Sequence, residues 1–159
     1  MPLPLDDPRP ARGPTVSALI GTAFAAPFAA AAVAVWLTGE PQTIGRVLVL
    51  VLVYGAATLA FAAGMRGGAA FGPYSRRRIA RQLSLSFLPA LAAVVILLLP
   101  PIPAVALLIG AFVLQAMWDV GTLQRGTLPK PFSVSRLMLA AISIVSLLAI
   151  LARLMLTVG

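Results

Sequence analysis

Five long apolar stretches, Val16–Leu37, Val47–Met65, Leu83–Leu99, Pro103–Val120 and Leu137–Val158, are joined by short polar connections, and this alternation decides the class of molecule. At a rise of about 1.5 Å per residue, each is long enough, or nearly so, to cross a hydrocarbon core roughly 30 Å thick as a helix. Composition agrees, since 60% of the residues are hydrophobic and only 10% charged, with a mean hydropathy of +1.02. The surface of a soluble domain carries about 25–35% charged residues. In hydrocarbon every backbone N–H and C=O must find its partner inside the segment, and helices achieve this one span at a time. The expected fold is an all-α integral membrane protein, a single domain over residues 15–159 built as a bundle of five transmembrane helices. A proline-rich tail, residues 1–14, should precede it without regular structure. Arg9 and Arg12 ahead of an apolar run also fit the start of a secretory signal. The run continues for about 22 residues to Trp36, however, longer than a signal's apolar region, so it is expected to be a retained span.

Topology follows from where the basic residues fall. With a cytoplasmic N-terminus, the inner segments hold Arg9, Arg12, Arg66, Arg76, Arg77, Arg78, Arg81, Arg125, Lys130 and Arg136, and the outer ones only Arg46 and Arg153. The positive-inside rule then places the N-terminus in the cytoplasm and the C-terminus outside, in a bacterial inner membrane. The net charge of +8 lies along one membrane face, where it meets anionic headgroups, and is no sign of nucleic-acid binding. Arg76, Arg77, Arg78 and Arg81, following Ser75 as a helix cap, are the candidate lipid-phosphate contacts. Trp36 and Trp118 fall at opposite expected interfaces, as an aromatic belt places them.

Within the spans, packing signals outnumber chemical ones. Pro27 and Pro89 each remove a backbone hydrogen bond and should kink their helices. The run Pro100-Pro101-Ile102-Pro103 reads as a turn between the third and fourth spans. In the second span Ala56, Ala60, Gly64, Gly68 and Gly72 recur every four residues, the pattern of a seam on which another helix backbone can settle closely. The seam is expected to pack within the molecule, with a homodimer face and mere transmembrane composition as the other readings.

Tyr54-Gly55-Ala56, Leu59, Phe61 and Ala63-Gly64-Met65-Arg66-Gly67-Gly68 resemble the second-span signature of an uncharacterised family of small multi-pass membrane proteins. That family, a domain-of-unknown-function family shared by proteobacteria and mitochondria, includes a mitochondrial transmembrane protein. Gln115 with Asp119, and Leu128-Pro129-Lys130-Pro131-Phe132 leading to Arg136, are similar to its later landmarks. The resemblance runs from about Gly21 onward and implies the fold and the membrane location. It implies no molecular activity.

The chain has no Cys and no His, so thiolate, disulfide and imidazole chemistry are excluded, and no cofactor is expected. Met117, Met138 and Met155 without a histidine read as packing residues, not haem ligands. Asp119 is the one carboxylate within a span, the others being Asp6, Asp7 and Glu40. Arg66 ends the second span and Asp119 the fourth, both at the inner boundary, so the two are the candidate polar pair, extended by Gln115 one turn before Asp119. A register-fixing salt bridge is the first reading; a substrate site and separate solvation at the headgroups are the others. Tyr54 near mid-span needs a partner for its hydroxyl. No base–nucleophile arrangement suggests an enzyme. Two function classes stand: a non-catalytic scaffold, accessory or assembly partner of a larger membrane complex, and a binder or transporter of a small apolar molecule or lipid.

Overall fold

The computed structural model describes residues 13–69, 76–124 and 130–158; the side chains of residues 13–18, 66–69, 76–79, 81–82, 122–123, 130–134 and 158 lie outside that description. The tail at 1–12, Gly72, Ser75 and the connection containing Leu128 and Pro129 therefore lie outside the described residues, as does the side chain of Arg66. Five helices make up the rest: α1 (Gly13–Leu37), α2 (Pro41–Ala69), α3 (Arg76–Leu98), α4 (Pro101–Gln124) and α5 (Lys130–Val158). Each of α1, α2, α4 and α5 contains one expected apolar stretch and runs past it at one end or both, while α3 starts before its stretch and stops one residue short of Leu99.

Proline sets several of the helix starts. Glu40 caps α2: its carbonyl accepts the first helical bond, from Ile44 N at 3.1 Å, and Pro41 occupies the first helical position. A proline there sacrifices no hydrogen bond, because the first N–H groups of a helix lack intrahelical partners anyway. Thr43 Oγ1 donates to Glu40 Oε2 and closes the cap. The same device corrects the expected turn at 100–103. Pro100 is the cap, its carbonyl accepting from Ala104 N at 3.0 Å, so α4 begins at Pro101 and absorbs Pro103 in its first turn. Pro27 and Pro89 lie inside α1 and α3.

The helices form a ring in which each neighbours the next, α5 closes against α1, and α2 also touches α4 across the interior. One stripe of each helix faces inward at alternating three- and four-residue steps. On α1 it is Gly21, Ala25, Phe28, Ala32 and Val35; on α4, Val105, Leu108, Phe112, Gln115 and Asp119; on α5, Arg136, Ala140, Ser143, Leu147, Ile150 and Leu154. Phe28 stands at the centre, edge-on to Tyr54 at 5.3 Å and to Phe112 at 5.5 Å between ring centroids. Tyr54 finds the partner it needs, its hydroxyl donating to the Phe24 carbonyl at 2.8 Å. That carbonyl lies in the turn of α1 that Pro27 loosens.

Contacts between α1 and α5 give their direction. Gly21 meets Ser135 near one end, and Trp36 Nε1 donates to the Ala149 carbonyl at 3.0 Å near the other, so the two helices are parallel. Outside the ring the surface is apolar on every helix, with Leu50, Phe87, Leu98, Val145 and Leu156 all more than two-thirds exposed. No soluble monomer presents apolar surface on this scale, whereas lipid covers it at no cost. Four of the helices, α1, α2, α4 and α5, are long and apolar enough to cross a membrane; α3 has a shorter apolar stretch, Leu83–Leu98.

Candidate functional site

Polar side chains enter the interior at one end of the α4–α5 pair. Asp119 is the last buried residue described on α4 and Arg136 the first described on α5. Because the two helices are joined by the short connection at 125–129, these positions come level. Arg136 Nε donates to Asp119 Oδ2 at 2.9 Å, and the side chains are only 8% and 4% exposed. Taking two charges out of water costs several kcal/mol each, which their attraction repays only in good geometry. What the contact supplies is axial register: a one-turn slip of α4 against α5 would strand both charges.

Sequence reasoning singled out Asp119 but did not name Arg136 as its partner. Arg136, just ahead of the fifth apolar stretch at Leu137, read as one of the inner basic residues. The missed signal is its phase, since Arg136, Ala140, Ser143, Leu147 and Ile150 share one stripe. The Arg66 side chain lies outside the described residues, and with it the expected Arg66–Asp119 pair. Gln115 is buried on the same stripe of α4, one turn from Asp119, and its Oε1 has no hydrogen-bond partner; the same holds for Ser143 Oγ, two turns beyond Arg136 on α5. Buried polar atoms of this kind usually bind an internal water or a neighbour in another rotamer.

The small-residue seam of α2 is corrected over its described part. Ala56 is buried, but Ala60 is exposed, and a Cβ added to Gly64 would meet nothing within 4 Å. The Gly68 side-chain position and Gly72 lie outside the description. A strict four-residue step drifts around a helix of 3.6 residues per turn, so five such positions cannot all face one neighbour. Close packing occurs instead at Gly55 and Gly21. A Cβ at Gly55 would lie 2.6 Å from Leu108 Cδ2, while one at Gly21 would run into the Ser135 carbonyl. These glycines fall on the three-four stripe.

Arg76, Arg77, Arg78 and Arg81 stand on the first two turns of α3, with their side chains outside the description. Two shallow grooves open on the outer surface, one along α3 lined by Ser84, Phe87, Leu88, Ala90, Leu91 and Val94, the other along the start of α2 at Gln42, Arg46 and Leu50. Among the described residues no three acidic, Cys or His side chains gather as a metal site.

The chain belongs to the family described as "Protein of unknown function (DUF3429)", whose profile matches residues 13–152. That span takes in α1 to α4 and most of α5, including both members of the buried pair. No curated protein and no solved structure matches the chain.

Proposed function

We propose that this chain is a non-catalytic scaffold or accessory subunit of a larger complex in the bacterial inner membrane, crossing it five times with its N-terminus in the cytoplasm. The observation that carries the reading is the filled interior. Phe28, Phe112, Leu59, Leu108, Ile96, Leu147 and Ile150 are fully buried where the five helices meet. A carrier of small molecules uses its central space; here side chains occupy it at the depth where a substrate would sit. The buried Asp119–Arg136 pair ties two helices together.

Five crossings are supported by the parallel course of α1 and α5. If α3 failed to cross, α4 and α5 would each be reversed and α5 would oppose α1. An odd number of crossings with ten basic residues on one side puts the C-terminus outside. The apolar outer surface of all five helices then faces lipid or partner helices.

The test is purification from native membranes in a mild detergent, followed by native mass spectrometry. The scaffold reading expects a defined assembly in which the chain stands in fixed ratio to another membrane protein. A chain recovered alone, or carrying one equivalent of a small apolar molecule in place of a protein, overturns it in favour of the binder.

A further inference from the structure

Hydroxyl side chains inside a helix can satisfy themselves by donating to a carbonyl one turn back, as Thr58 does to Tyr54 at 2.8 Å and Ser84 to Ala80 at 3.0 Å. Ser143 does not. It is 0% exposed on the inward stripe of α5, and among the described residues its Oγ has no hydrogen-bond partner. Gln115, 8% exposed on the inward stripe of α4, has an Oε1 in the same condition, so the two oxygens are not bonded to each other either. Left dry, each would forfeit its hydration with nothing in return.

Helix geometry brings the two side chains toward one place. The helices α4 and α5 run in opposite directions across their short connection, and the contact of Arg136 Nε with Asp119 Oδ2 at 2.9 Å fixes their register. Counted from that pair at about 1.5 Å per residue, Gln115 lies about 6 Å deeper on α4 and Ser143 about 10 Å deeper on α5. Side chains lean toward the N-terminus of their own helix, so Gln115 reaches deeper while Ser143 leans back toward it. Level with Gln115 on α5 stands the buried Ala140, whose single methyl fills little of the space between the helices.

The chemistry of the gap selects its occupant. A Gln carbonyl oxygen only accepts, and a Ser hydroxyl both donates and accepts, so a molecule between them must donate to the first and can accept from the second. Asp119 and Arg136 are neutral as a unit, which leaves no charge here to hold an ion of either sign. We infer that α4 and α5 hold a water-binding site between Gln115 and Ser143, in which the Ser143 hydroxyl donates to the water and the water donates to Gln115 Oε1. Together with the ion pair, the site gives this seam a polar core about 10 Å long. It also specifies register a second time, because a one-turn slip of α4 against α5 would separate the two groups that share the water.

The test uses the full chain in lipid nanodiscs, equilibrated in heavy-oxygen water and exposed to a brief X-ray pulse. The pulse converts a bound water into a hydroxyl radical that labels the side chains beside it, and mass spectrometry locates the label. Phe112 and Phe28 are the same residue type and are both buried, but Phe112 stands on the Gln115 stripe at the level of Ser143, whereas Phe28 belongs to α1. Phe112 should take up several-fold more heavy oxygen than Phe28. Gln115→Leu combined with Ser143→Ala removes both anchors and should bring Phe112 down to the level of Phe28. Replacing sodium by choline in the buffer should change nothing. Equal labelling of the two rings in the unmodified chain overturns the site and leaves a direct Ser143–Gln115 bond in its place, as does a Phe112 label undiminished in the double variant. A Phe112 label that appears only without sodium would make the occupant a cation and overturn the water. The comparison on the unmodified chain decides the matter even where the variant fails to fold.

Discussion

A carboxylate on a transmembrane helix is costly enough that it demands a partner, so Asp119 was legible as a polar landmark from the sequence alone. Its partner was not, because a cation near the end of an apolar stretch can reach headgroups as easily as turn inward. Only the phase of Arg136 against Ala140, Ser143 and Leu147 separates the two cases, and the fold realises the inward one. The energetic consequence is asymmetric. Removing one member of a buried pair leaves an uncompensated charge, typically at a cost of about 3–5 kcal/mol, while replacing both by apolar groups is often neutral. Asp119→Ala and Arg136→Ala should therefore each destabilise the protein strongly in reversible unfolding in mixed micelles, and Asp119→Leu with Arg136→Met should recover most of the loss. A double-mutant cycle should return a coupling of about 0.5–3 kcal/mol. Additive losses would mean that the two side chains act independently.

At the scale of the element, every helix was foreseeable from its apolar stretch, but its ends were not. Proline reads as a breaker in a list of residues, yet Pro41 and Pro101 open helices because the first turn has N–H groups to spare. Helix contacts were legible in kind and wrong in position. Small residues do mediate close approach, but at Gly21 and Gly55 on the inward stripes, while Gly64 on the four-residue repeat meets nothing. Counting glycines finds the type of contact; the three-four phase finds the face. The contrast predicts opposite outcomes for two similar substitutions. At Gly21 even alanine would press on the Ser135 backbone, which has no rotamer to give way, so Gly21→Ala should lower stability by about 1–3 kcal/mol despite alanine's better helix propensity. Gly64→Leu should change it by less than about 0.5 kcal/mol. Thermal unfolding of the two variants in one detergent checks both, and a destabilised Gly64→Leu would show that another helix, from a second copy or a partner, occupies that face.

For the whole molecule, two observations bear on the proposed topology. The chain's cations fall ten to two when assigned to alternate sides, a statement about sequence that uses no coordinates. The side-by-side contacts of Gly21 with Ser135 and of Trp36 with Ala149 make α1 and α5 parallel, a statement about packing that uses no charges. Both fit the proposed five crossings, in which α3 traverses the bilayer although its apolar stretch is short. Because the chain contains no natural cysteine, single cysteines report their side of the membrane without background. Gly39, between α1 and α2, and Ser75, before α3, should be labelled by an impermeant reagent from opposite sides in oriented vesicles, Gly39 from outside. A cysteine at Gly159, following α5, should label together with Gly39. Labelling of Gly159 with Ser75 instead would mean an even number of crossings, and would remove α3 from the set of spanning helices whatever the basic residues suggest.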